Sequence, residues 1–265
     1  MRKLVAGVIF KGDKYLLLKR KHHWKGWEFV KGNLEKESFR TALLREIREE
    51  TKLSRVKIIC ELPKDMIYSH DDIGGHTTSM QKGFLVEYLA GSIKVSFEHS
   101  GFRWAAAKEA RQLLTFPSHK AFLILAEKER RIYRKKIIER LSSKHATSIR
   151  FDGRYISLRY DGKKLRCKAI KKNVKEIGLW SKKENIIYYD RNLTGKPLLP
   201  ILVHEVVEKY VSQKYGLDEN TEAHKVATAV EKEFVVDPDW ISQQRSVASA
   251  WVKANKRKVG KAKFY

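Results

Sequence analysis

Apolar residues run almost unbroken through Leu4–Phe10 and again through Tyr15–Leu18, with Gly12-Asp13 between them. This pattern predicts two strands, over 3–10 and 14–18, joined by a tight turn. A strand or loop over 27–30 leads into Gly32. From 38 to 51 the period changes, because Phe39, Ala42, Leu43 and Ile47 recur at three- and four-residue steps, which predicts a helix. Strands are expected over 56–61 and 82–89, with the polar stretch SHDDIGGHTTS (69–79) as a loop between them. Short extended pieces over 92–97 and 101–105 and a helix beginning at 108–114 complete the first part. Strands with two helices imply a mixed α/β sandwich.

The pattern shifts after about residue 126. The stretch EKERRIYRKKIIERLSSK (127–144) is helical by propensity and strongly basic, with Ile132, Ile137, Ile138 and Leu141 marking one apolar stripe. It reads as a connector over 127–148. Beyond it RYISLRY, KLRCKAI and NIIYYD read as short strands, and 198–213, 221–236 and 239–255 as three helices, followed by a basic tail. The expected organisation is an α/β domain over 1–126, the connector, and a smaller α+β domain over 149–265.

At 265 residues the chain is long enough for two such cores. The two cysteines, Cys60 and Cys167, have no metal-site spacing and do not make a disulfide framework, so a reducing cytoplasm is the expected location. The N-terminal apolar runs are too short and too interrupted by charge for a signal peptide or membrane span, and no membrane is expected as a partner. Charge changes the picture more. With 56 Lys+Arg against 31 Asp+Glu, the formal net charge is +25, which points to polyanions such as nucleotides or RNA, or to a lysine-rich solvated surface.

Against that background the segment GNLEKESFRTALLREIREETKL (32–53) gathers Glu35, Glu37, Glu46, Glu49 and Glu50, with Glu28 just upstream. Glu46, Glu49 and Glu50 stand at i, i+3 and i+4, on one helix face within reach of a common point. Like charges so placed repel unless a cation compensates them, and an oxygen-preferring dication, Mg²⁺ or Mn²⁺, suits the set. Arg45 and Glu37 are spaced for an ion pair tying the preceding loop to the helix. Gly32 permits a tight turn. An ordinary charged helix face is the plain alternative.

The wider spacing resembles the Nudix box, G-x5-E-x7-R-E-U-x-E-E-x-G-U with U aliphatic. Glu37-x7-Arg45-Glu46-Ile47-x-Glu49-Glu50-x-Lys52-Leu53 matches it, while Gly32 lies one residue too close to Glu37 and Lys52 replaces the final glycine. GWEFVKG and FRWAAAKEA match the same family. The resemblance covers about residues 1–126 and implies a Nudix α/β/α sandwich that hydrolyses a phosphoanhydride bridge with metal-activated water. It implies Glu46 and Glu50 as principal metal ligands, Glu49 as a further ligand and catalytic carboxylate, and Gly32, Glu37 and Arg45 as structural. SFEHSGFRW and FPSHKAFLILAE are similar to segments of the family's diadenosine tetraphosphate hydrolases. That likeness implies Glu98 as general base or further ligand, Lys31 and Lys82 as phosphate contacts, and Tyr68 as a residue that stacks on a base or packs in the core. Val30 stands where those members usually carry proline.

In the second part HEVVE places His204 and Glu208 one turn apart, with Glu205 between them and His224 sixteen residues beyond Glu208. The arrangement resembles small HExxE zincin-like domains, which implies Zn²⁺ on His204, Glu208 and His224, with Glu205 polarising a metal-bound water. A partly buried amphipathic helix is the plain alternative. Three functions are therefore carried forward: hydrolysis of a dinucleoside polyphosphate or related nucleotide, the same chemistry at an RNA 5′ end guided by the basic second part, and a non-catalytic RNA-binding protein.

Overall fold

A computed structural model of the chain describes residues 1–234 except 23, 73–74, 174–176, 192, 194 and 196–197. The chain divides into two compact units, Met1–Lys135 and Lys136–Tyr265.

The first unit is built on a mixed sheet of β1 (Arg2–Lys11), β2 (Lys14–Arg20), β3 (Gly26–Glu28), β4 (Val30–Asn33), β5 (Arg55–Glu61), β6 (Met66–Asp72), β7 (Gly75–Ala90) and β8 (His99–Ala106). Its central strand, β1, runs parallel to β7 from Arg2↔Ser79 to Phe10↔Glu87 and antiparallel to β4 from Leu4↔Asn33 to Gly7↔Val30. Both faces are covered, which is why β1 and β2 read as unbroken apolar runs rather than alternating ones. Val5, Ile9, Leu16, Leu18, Phe84 and Val86 pack with Ala42, Leu43 and Ile47 of α1 (Phe39–Thr51). Their neighbours Ala6, Val8, Phe10, Leu17 and Leu85 face Phe122, Leu123 and Ala126 of α3 (Pro117–Ser142), with α2 (Ala107–Leu113) on the same side. The two-residue period of a strand thus sorts one sequence into two cores.

At Gly83 on β7 a Cβ would lie 2.6 Å from Phe122 Cε1 and 2.8 Å from Leu62 Cδ1, two side chains of the second core. Gly83→Ala is expected to destabilise the fold by about 1–3 kcal/mol through overpacking, since a buried ring has little room to yield. A denaturant melt with unchanged midpoint would refute this.

Three expectations need correction. Residues 69–72 and 75–79 are not a loop: β6 and β7 pair antiparallel along them, with Ser69↔Thr78 in register and their hydroxyls 3.2 Å apart. Polar Ser and Thr hide a strand from a hydrophobicity pattern while pairing well across a ladder. Residues 92–97 are not extended strand but a coil held by Lys94 N→Thr51 O and Ser96 N→Glu50 O, both 3.0 Å. The basic stretch over 127–144 is no separate element up to Ser142. It continues α3, which starts with Pro117 in its first turn and meets no further proline or glycine before Ser142.

The second unit is α+β. Its sheet runs β12 (Gly178–Trp180), β13 (Ile186–Asp190), β11 (Lys163–Lys172), β10 (Tyr155–Tyr160), β9 (Thr147–Phe151), with β11 and β13 parallel. Ile156, Leu158, Cys167, Ala169 and Ile187 pack with Leu202, Val203, Val206 and Val207 of α4 (Leu198–Tyr215) and Val226 and Val230 of α5 (His224–Glu231). The helix expected over 221–236 is broken: a π-helical turn, Glu219–Ala223, precedes α5 and a 3₁₀ turn, Lys232–Phe234, follows it. The helix expected over 239–255 and the basic tail lie outside the described residues. Among the described residues no helix is long and apolar enough to cross a membrane.

Candidate active site

The acidic helix is positioned from its first residue. Ser38 caps α1, its Oγ accepting from Thr41 N at 3.2 Å. One turn on, Arg45 gathers the loop. Its Nε and Nη2 donate to Glu37 Oε1 at 3.0 and 2.7 Å, and Nη2 also donates to the Asn33 carbonyl at 3.0 Å. Its Nη1 reaches Glu46 Oε1 at 2.6 Å and Glu49 Oε2 at 3.3 Å. A planar guanidinium serves loop and helix together, which a lysine's point charge would not. At the other end Lys52 closes the helix in the left-handed conformation, φ 61°, donating to Arg48 O.

Gly32, on β4, faces this helix. A Cβ there would fall 1.8 Å from the Glu46 carboxyl carbon, so the space belongs to that carboxylate. Next along the strand, Lys31 N donates to Glu50 Oε2 at 3.3 Å. Glu50 is 4% exposed. Burial, then the nearby Glu28 carboxylate, push its carboxyl well above the usual range. Burial likewise raises Glu46, against the pull of Arg45. Glu98 enters from the turn before β8, its Oε2 3.2 Å from Arg20 Nη1. Glu50, Glu98 and His99 each present a ligand atom within 4.8 Å of the others. Glu49 is the exposed member of the helix face and points to Arg45.

The centre of this network went unassigned in the sequence. Glu28 is fully buried and meets three cations or donors: Arg20 Nη1 at 3.2 Å, Lys31 Nζ at 3.1 Å and His99 Nε2 at 3.3 Å. Burial opposes its charge, but the His99 hydrogen bond and Lys31 outweigh it and hold the carboxyl below its usual range. His99 Nδ1 in turn meets Ser96 Oγ at 3.2 Å. Buried His119, held near a pKa of about 4 by burial, accepts from Phe29 N at 3.3 Å through a neutral ring. The available signal was a glutamate set between aromatics in WEF, where a strand facing the core has no ordinary use for charge.

The other expected residues fall at different depths. Lys31 joins the cluster through Glu28 and lies 6.0 Å from the Trp24 ring centre. Lys82 is held by Glu61 and, at 3.6 Å, by Asp65, and the Glu61 contact raises its pKa. Tyr68 is half-buried on β6, opposite Ser79.

In the second unit His204 and Glu208 share a face of α4, and the π-helical turn, closed by Ala223 N→Asp218 O at 2.8 Å, delivers His224 at the start of α5. His204 Nε2 lies 3.1 Å from His224 Nδ1 and 3.4 Å from Glu208 Oε2, and its Nδ1 is hydrogen-bonded to Glu231. Burial disfavours charge on His204, yet Glu208 and Glu231 raise it to about 10. The Glu205 carboxylate lies over Gly178, where a Cβ would come within 2.3 Å of Oε1, and its charge also acts on His204.

The chain matches the family model described as NUDIX domain over residues 1–125. No curated protein matches it. Among solved structures it is similar to a C. elegans Ap4A hydrolase, with 20% identity over 49% of this chain and 98% of that one, and a TM-score of 0.44. It is also similar to the E. coli ORF135 protein, with 26% identity over 49% and 91% and a TM-score of 0.40. The MutT protein from Methanosarcina mazei is 19% identical over 49% and 94%, with a TM-score of 0.41.

Proposed function

Because residues 1–125 belong to the Nudix family, and so to hydrolases of phosphoanhydride bonds, we propose that the chain opens the phosphoanhydride bridge of a dinucleoside polyphosphate or related nucleotide. The observation that carries this reading is the crowding of Glu46, Glu50 and Glu98 beside buried Glu28, with burial and neighbouring carboxylates both penalising ionisation of Glu46 and Glu50. A carboxylate-rich set of this kind, with His99 beside it, fits a hard dication, Mg²⁺ or Mn²⁺, held by Glu46, Glu49, Glu50 and Glu98. When bound, such an ion neutralises phosphate oxygens and lowers the pKa of a water.

The protein's own groups do the rest. Glu98, one-third exposed, takes the proton of the attacking water, with Glu49 as the other catalytic carboxylate. The Lys31 ammonium, already beside Glu28, offsets phosphate charge. Lys82 reaches phosphate only by leaving Glu61 and Asp65, so its contribution is smaller. Tyr68 borders the base. Arg45, Glu37 and Gly32 keep the helix face and loop in register. Both cysteines are free thiols, in keeping with a cytoplasmic protein.

A second reading, hydrolysis at an RNA 5′ end, is favoured by the face of the second sheet opposite α4 and α5. There Arg150, Arg159, Lys164 and Arg166 are exposed, Arg166 stacks on Tyr155 at 4.3 Å, and Lys172 lies over Tyr188 at 5.4 Å. Basic side chains interleaved with aromatic rings suit a single strand.

One panel decides between them: diadenosine polyphosphates, nucleotide sugars, NAD and triphosphorylated RNA, each with Mg²⁺ or Mn²⁺. Faster turnover of dinucleotides supports the first reading. Faster turnover of RNA, with binding that weakens steeply as salt rises, supports the second. Failure to cleave any of them overturns both.

A further inference from the structure

The histidine pair of the second unit stands with Glu208 in one cluster of ligand atoms. His204 Nε2 faces two acceptors at once, His224 Nδ1 at 3.1 Å and Glu208 Oε2 at 3.4 Å, and all three ligand atoms lie within 4.8 Å of one another. A tetrahedral metal with bonds of about 2.0–2.1 Å sets its ligand atoms roughly 3.3 Å apart, the spacing of both contacts. A buried histidine in a salt bridge accounts for Glu231 and Glu208, but it leaves His224 unexplained. A single proton on Nε2 serves one acceptor, whereas a cation between the three serves all.

The surroundings fit as well. Glu231 grips His204 Nδ1, the carboxylate–histidine contact that fixes a ligating ring and raises its basicity. His204, Glu208 and Glu231 are buried among Val203, Val207, Val226 and Val230, whereas His224 is exposed and leaves a way in. We propose that His204 Nε2, His224 Nδ1 and Glu208 form a binding site for Zn²⁺ or a dication of similar softness, separate from the carboxylate site of the first unit. Two imidazoles and one carboxylate select such an ion over Mg²⁺. Glu205 lies over Gly178, and the site is assigned metal binding alone.

The test uses the full chain, stripped with chelator, then given Zn²⁺ in excess Mg²⁺ so that the oxygen site is occupied. Elemental analysis after desalting should find about one Zn²⁺ per chain, and X-ray absorption should show imidazole nitrogen at about 2.0 Å. His224→Ala alters an exposed side chain, so the unit should still fold, and its zinc affinity should fall about a hundredfold or more. Glu50→Gln should retain the zinc whatever its effect on hydrolysis, which separates this site from the proposed active site. Absence of zinc in the wild-type chain, or equal retention by His224→Ala and Glu208→Gln, would overturn the assignment.

Discussion

Glu50→Gln is expected to lower hydrolysis about a thousandfold while raising the melting temperature of the metal-free protein. The loss follows from the proposed role of Glu50 as a charged ligand, worth several kcal/mol of charge stabilisation at roughly tenfold per 1.4 kcal/mol. The gain follows from burial. Glu50 is almost inaccessible and has Glu28 as a like-charged neighbour, so its ionised form is costly until a cation arrives. Glutamine keeps an oxygen for the Lys31 amide and discards the charge.

The pH dependence has a definite sign. The folded carboxyl titrates above its ordinary value of 4.5, so its stabilising contribution is complete below that value and is lost as pH rises through the higher folded one. The melting-temperature gap between variant and wild type should therefore open above about pH 4.5 and widen upward, at roughly 2–4 °C per kcal/mol. Hydrolysis within threefold of wild type would remove Glu50 from the reaction. A gap that does not change with pH would mean that its charge is not confined.

Gly32→Ala should separate activity from stability in another way. The new methyl would overlap the Glu46 carboxylate, yet that group ends a flexible side chain and can swing aside. Gly32 does not have the positive φ that would strain alanine, and losing glycine's freedom in the unfolded chain offsets part of any cost. Stability should stay within about 1 kcal/mol, whereas displacing Glu46, a ligand in the proposed site, by an ångström should cost about a hundredfold in rate. Steady-state kinetics across a Mn²⁺ titration, beside a thermal melt, gives both numbers. A large fall in stability with normal turnover would contradict the placement of Glu46 against this strand. The same change at Gly83 meets a buried ring instead of a movable carboxylate, so there the cost appears in stability.

How much of this was legible depends on how far apart the cooperating residues stand. The α1 glutamates and Arg45 lie within two turns of one helix, so their spacing carried the information. Glu28, His99 and His119 meet only because β3, β8 and α3 are packed in one unit, and no local pattern records that. The β6–β7 hairpin was missed because its order comes from ladder hydrogen bonds and hydroxyl pairs, not from apolar alternation. In the second unit the i, i+4 step of His204 and Glu208 was visible. The π-helical turn that aims His224 was not, since a one-residue change of hydrogen-bond step has no signature in composition.

The parallel pairing of β1 with β7 also orders events in time. The strand over residues 2–11 cannot complete its ladder until residues 79–87 have been made, and Glu98 follows later still. At about 5–20 residues per second, β1 waits roughly 4–15 s for its main partner. Its apolar run stays without a full sheet throughout that interval. The carboxylate cluster is completed only when the last strand of that sheet arrives.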